Sequence, residues 1–263
     1  SFGEGLVKMG KLFEFAFCQG YDSKIAYLAS LCPEKWSFGT SSDNVILKNY
    51  VDYTFRKLEE EGKVLEEEAC AIFNTGLFTP HYEPIYAYFI PNRIPGRQKW
   101  FLDGFYGEYQ LAGMRVDTTH LPARANYFSD PADLVFDTNC KIIPQYKHIF
   151  DDPANFERLP ESVRNSSNKT VLFDGAIRRA TLMIAANYKT AVPQYHMGRI
   201  QLLVPVCLCR EDIPDLALVV SKVRKDKDAP GGNAYLGHTC LTLNMAYNNA
   251  RLIARPDSTW LRP

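Results

Sequence analysis

A chain of 263 residues with a formal net charge of zero and a pI near 6.9 is long enough to bury a sizeable core and is not a globally basic nucleic-acid binder, although a local basic patch fits within that balance. A hydrophobic fraction of 46% and an aromatic fraction of 13% exclude a disordered chain, and no apolar run approaches the roughly 20 residues of a membrane-spanning helix. Seven cysteines in apolar surroundings fit reduced thiols, and the amino end lacks the apolar core of a signal peptide, so a cytoplasmic location with no membrane partner is the expectation.

Residues 12–17 form a short aromatic segment, and residues 24–32 predict a short helix stopped by Pro33. Ser42 and Asp43 are N-cap residues for a helix over 44–61, where Ile46, Leu47, Tyr50, Val51, Phe55 and Leu58 share one face and Gly62 marks the stop. Strands are expected at 70–73, 85–90 and 100–106, the first two joined by a polar turn at Asn74, Thr75 and Gly76, with a further strand at 111–117. Between 118 and 168, prolines punctuate pieces too short to show a period, and a stretch of that kind is often functional.

A second strong helix is expected over 170–188, with Leu172, Phe173, Ala176, Ile177, Ala180, Met183 and Ile184 on its apolar face. Asn187 would fall on that face too, so either the helix ends before it or its amide is buried and bonded. Strands follow at 199–209 and 216–223, Pro205 making the first an edge or bulged strand. An exposed loop is expected at 226–233, and 239–254 starts as a strand and turns helical. With six or seven strands and four helices, the pattern is α+β: a mostly antiparallel sheet flanked by helices, with a small N-terminal helical subdomain over the first 65 residues of one 263-residue domain.

The common nucleotide and metal fingerprints are absent from the sequence. Cys207 with Cys209, and His238 with Cys240, have spacings that a zinc site could use, but cysteine in apolar strands is more often core. Asp133, Asp137, Asp151 and Asp152 could hold a divalent ion or cap loops; no cofactor is otherwise predicted. Asn74, Thr75 and Gly76 offer an amide, a hydroxyl and backbone N–H groups that could hold an anion, or they are ordinary turn residues.

Residues 175–210 contain no Asp or Glu but carry Arg178, Arg179, Lys189, Arg199, Arg210 and His196. Within this window Asn187, Tyr188, Gln194 and Tyr195 interleave with the cations, the pairing that phosphate contact and base stacking require. Five histidines, His81, His120, His148, His196 and His238, are the candidate acids and bases near neutral pH.

The segments CPEKWSFG, FNTGLFTPHYEPIYAYF, NYKTAVPQY and LTLNMAYNNARLIARP resemble a family catalogued as a domain of unknown function. The resemblance implies a role with RNA, through association with cold-shock or OST-HTH RNA-binding modules, and assigns no catalytic residue. The expected activity is hydrolysis of a phosphoester or pyrophosphate bond in RNA or a nucleotide. His148 or His81 would move the proton and Lys189 would assist. Asn74, Thr75 and Gly76 would shape one wall, and Arg178, Arg179, Arg199, Asn187, Tyr188, Gln194 and Tyr195 would hold substrate. The alternative is an RNA-binding domain without catalysis that uses the same basic and aromatic strip.

Overall fold

The structure, a computed structural model, describes residues 10–223 and 234–263; the expected loop at 226–233 lies outside them. The chain divides into two units, Ser1–Asn126 and Tyr127–Pro263. Each is α+β around a five-stranded mixed sheet in which a single parallel pair closes one edge.

In the first unit α1 (Lys11–Phe15), β1 (Ala16–Phe17), α2 (Tyr21–Leu31) and α3 (Val45–Glu60) precede the strands β2 (Leu65–Glu66), β3 (Ala71–Phe78), β4 (Pro84–Pro91) and β5 (Trp100–Gly107). The sheet order is β1-β5-β4-β3-β2. The periodic apolar positions of α3 are all buried. Asp43 Oδ1 accepts from the Val45 N–H at 3.1 Å, where the α3 backbone starts without an internal partner. Phe55 of α3 meets Phe73 of β3 at 5.4 Å between ring centroids, and Phe73 meets Phe89 of β4 at 5.8 Å. Truncating such a ring to alanine costs roughly 3–5 kcal/mol. The helices ahead of residue 65 therefore pack on this sheet and share its unit.

Two expectations change here. Residues 74–76 are not a turn: they lie inside β3, at a register shift between Asn74 and Phe78, and the chain reverses at 79–83. The expected strand at 111–117 is replaced by α4 (Glu108–Gly113) and an irregular segment. The Gln110 side chain accepts from the Gly107 N–H at 2.9 Å and starts the helical turn, while Leu111, Val116 and Leu121 seal a small core with Ile72 and Tyr86.

In the second unit a 3-10 turn (Pro131–Leu134) leads to β6 (Lys141–Pro144), α5 (Tyr146–Asp151), α6 (Pro153–Phe156), α7 (Glu161–Arg164) and α8 (Lys169–Ala186). Then come β7 (Val192–His196), β8 (Arg199–Val206), β9 (Leu216–Val223), β10 (Ala234–Leu241) and α9 (Leu243–Arg251). The sheet order is β6-β10-β9-β8-β7. Leu202, Val204, Val206, Leu218 and Val220 form one core with Phe173, Ile177, Ala180 and Ile184 of α8. Helix α9 packs against β7, β9 and β10.

Helix α8 ends at Ala186, so Asn187 is exposed and extended. Strand β8 lies inside the sheet, but Pro205 is past the end of β7 and pairs with Ala217 of β9 alone, so its missing N–H costs no bond to β7. The described residues hold ten strands and nine α-helices, more than the sequence suggested: the proline-rich middle folds into β6 and the short helices α5, α6 and α7, and the short elements α1, β1, β2, α4 and β7 add the rest. No described helix is long and apolar enough to cross a membrane.

Candidate functional site

In the second unit the charges of Arg199 and His148 both bear on His238, although β6 to β10 span most of its sequence. The parallel β6–β10 pairing carries the chain past Pro144, and the Gln145 N–H continues the ladder by donating to the Gly237 carbonyl at 2.9 Å. That bond fixes the Gln145 side chain beside the next residue of β10, with Oε1 3.3 Å from Nδ1 of His238. His238 sits at a register shift between Gly237 and Thr239. Such a bulge re-aims a side chain out of the regular alternation.

His238 is half-buried, and its pKa is held below the ordinary 6.5 first by that burial, then by the positive charge of Arg199 and of His148. An imidazole in this state is a neutral base near pH 7. With Nδ1–H donating to the amide oxygen of Gln145, Nε2 carries the lone pair.

His148 is exposed on α5 and lines a shallow cleft of about 540 Å³ with Gln145, Lys147, Asp151 and Asp152. Its backbone is tied down at both groups: its N–H donates to the Gln145 carbonyl at 2.9 Å, and its carbonyl accepts from Nδ2 of Asn155 at 3.1 Å. Asn155 is only 5% exposed. Its Oδ1 accepts from Arg158 at 2.9 Å and from the Thr239 hydroxyl, so one buried amide links α5 to the strand residue next to His238.

Arg199, at the start of β8, is exposed and has no ion pair among the described residues. Together these residues present a neutral imidazole, a second imidazole and a guanidinium. A metal-independent displacement at phosphorus uses these three kinds of group as base, acid and oxyanion stabiliser. Among the described residues no group of three or more His, Cys, Asp or Glu is placed to hold a metal ion.

The remaining expected positions disperse. Asn74, Thr75 and Gly76 belong to the first unit, where their polar atoms are engaged. The Asn74 amide accepts from the Gly76 N–H at 2.9 Å and donates to the Pro122 carbonyl at 3.2 Å. Thr75, 1% exposed, donates to the Ile85 carbonyl at 2.7 Å. His81 is exposed in the reversal after β3.

On α8, Arg178 is exposed and Arg179 pairs with Glu211 at 3.3 Å. Lys189 pairs with Asp257 at 2.6 Å, on the rim of a cavity of about 200 Å³ that Tyr188 also lines. Asn187 caps its own turn by accepting from the Lys189 N–H. Gln194 is buried in a ladder in which Asn249 donates to it at 3.1 Å, it donates to Gln201 at 3.0 Å, and Gln201 donates to Ser221 at 3.0 Å. Tyr195 packs edge-on against Tyr127 at 4.9 Å.

Of the thirteen expected site residues, His148 and Arg199 are the two whose charges bear on His238, which the sequence alone shows only as one histidine among five or as a metal ligand beside Cys240. Its distinguishing partner, Gln145, is 93 positions away.

The family model "Domain of unknown function (DUF3825)" matches residues 28–260, and the chain belongs to that family. No curated protein and no solved structure matches it.

Proposed function

We propose that the protein is an RNA- or nucleotide-directed hydrolase of phosphoester or pyrophosphate bonds, with His238 as general base, His148 as general acid and Arg199 as the oxyanion-stabilising cation. The observation that carries this reading is the setting of His238: half-buried, with Gln145 Oε1 3.3 Å from its Nδ1 and its pKa lowered by burial, Arg199 and His148. RNA as the substrate class accords with the association with cold-shock and OST-HTH modules that the family resemblance implies.

In the proposed reaction Nε2 of His238 takes the proton of an attacking hydroxyl or water. The new P–O bond forms as the bond to the leaving oxygen breaks, and His148 protonates that oxygen. Arg199 faces the non-bridging oxygens, where negative charge accumulates. Proton transfer by one positioned side chain contributes about 10²–10⁴ in rate.

The test uses end-labelled 5′-triphosphate, dinucleotide-capped and unmodified RNAs, incubated with and without EDTA. His238→Ala, His148→Ala and Arg199→Ala each lower cleavage by roughly 100-fold or more, while Arg178→Ala does not. The EDTA arm decides whether a divalent ion takes part. Cleavage unaffected by His238→Ala overturns the assignment. Salt-sensitive RNA binding without product replaces it with the non-catalytic module.

A further inference from the structure

A second cleft in this unit, separate from the one that His148 lines, is lined by Arg199 and has a volume of about 530 Å³. Its lining includes Tyr127 and Phe128 on one side and Leu202, Val220, Lys222 and Tyr235 from the sheet. Strand alternation and the registers Leu202 to Val220 and Lys222 to Tyr235 put these four sheet residues on one face. The residues ahead of β6 pass over that face, as the contact of the 3-10 turn with β8 shows.

This wall is firmly built. Tyr235 stacks on Phe136 with centroids 4.3 Å apart and planes 16° apart. The Tyr235 hydroxyl accepts from the Asp137 N–H at 3.0 Å, and Lys222 Nζ lies 2.9 Å from the Asp137 carboxylate. Lys222 is thus already charge-matched, and Arg199 is the cation that meets an incoming anion.

We propose that this cleft is a nucleoside-binding subsite, taking the base of a nucleotide against Phe128 and Tyr127 and its phosphate against Arg199. A cleft of this volume is in the range of small-ligand sites, and its lining sets the aromatic Tyr127 and Phe128 beside polar groups. An aromatic wall next to a single cation selects a ligand with both a π-face and an anionic group. Arg199 lines the cleft, and its charge is also one of those that lower the His238 pKa. The inference rests on the nucleotide-directed reading above, and names where that substrate's base is held.

The test is titration of the full chain, followed by amide and side-chain NMR shifts, with adenosine, guanosine, cytidine and uridine monophosphates, the matching nucleosides, and inorganic phosphate. At least one monophosphate saturates at lower concentration than its nucleoside or phosphate. Phe128→Ala weakens it roughly 5- to 100-fold, the loss of one stacked base, and Ala132→Trp, an exposed position on the cleft lining, blocks it. Unchanged thermal melts establish that both variants fold, and a variant that fails to fold is replaced by Ser129→Trp, on the same lining. Phosphate saturating as tightly as every monophosphate, or binding unaffected by the tryptophan plug, overturns the subsite. His238→Ala retains nucleotide binding. Wild-type binding without any cleavage therefore ends the hydrolase reading and leaves the subsite, whereas cleavage without monophosphate binding ends the subsite alone.

Discussion

The hydroxyl of Tyr50 donates to the carbonyl of Thr75 at 2.9 Å and stands 2.8 Å from where a Cβ on Gly76 would lie. Gly76 has φ +73, so an L side chain there is strained as well as obstructed. Gly76→Ala should cost about 1–2 kcal/mol for the left-handed backbone and about 1–3 kcal/mol more for the displaced buried hydrogen bond. Gly39, with φ +59 and nothing within 4 Å, isolates the first contribution. Urea denaturation should show Gly76→Ala less stable than Gly39→Ala; equal losses would mean that Tyr50 yields without penalty.

That same relationship explains why residues 74–76 read as a turn in the sequence. Asn, Thr and Gly supply local hydrogen bonds and a positive φ wherever they occur, and a break inside a strand uses them as readily as a reversal does. What separates the two cases is Tyr50, 25 positions away on α3, which no local pattern reveals. Elements set by their own periodicity were legible: α3 and α8 were placed within two residues at each end, and β9 at both of its ends. The 111–117 segment misled because Leu111 and Val116 face a core without being in a strand. His238 was visible only as a histidine, since its setting comes from Gln145, Arg199 and His148, which the sheet brings near it.

The Asp137–Lys222 pair gives the protein an acid-limb signature. The hydrogen bond from Lys222, then those from the Asn139 N–H and the Cys140 thiol, hold the Asp137 carboxyl well below the ordinary 3.8. A depressed carboxyl pKa stabilises the fold at pH values above the unfolded pKa, and that contribution is lost as pH falls through about 4 toward the folded value. Asp137→Asn should therefore lower stability at pH 7 and flatten its decline between about pH 5 and 3, as followed by denaturant midpoints. Parallel curves for variant and wild type would show that the pair contributes nothing.

For His238 the pH dependence runs the same way, although here it is the neutral form that the fold favours. A folded-state pKa below 6.5 means that protonation opposes the folded arrangement, so the contribution is complete above 6.5 and erodes as pH falls through the folded value. Because Arg199 and His148 both push the pKa down, Arg199→Gln and His148→Gln should each move it upward. Histidine ring NMR over pH 4.5–8 reads this directly. The low-pH limb of cleavage should move with it, since the reaction needs the neutral ring. A His238 pKa that stays put in Arg199→Gln would remove Arg199 from its surroundings.

Asn155 is where structure and chemistry meet in the second unit. Its amide nitrogen holds the His148 carbonyl, and its oxygen receives Arg158 and Thr239, while Arg158 goes on to the Cys240 carbonyl at 3.0 Å. Asn155→Ala strands the Thr239 hydroxyl and the His148 carbonyl and leaves Arg158 with Cys240. At about 1–3 kcal/mol for each of these two groups left without its partner, the total loss should be roughly 2–6 kcal/mol. Asn155→Asp keeps the acceptor for Arg158 and Thr239 but cannot donate to His148, so it should lose less stability than alanine while still freeing α5. Hydrogen exchange of the α5 amides together with urea denaturation separates the two effects. Faster exchange in both variants, with the larger stability loss confined to alanine, is the expected pattern. Unchanged α5 protection in Asn155→Asp would show that His148 is positioned by the Gln145 carbonyl alone.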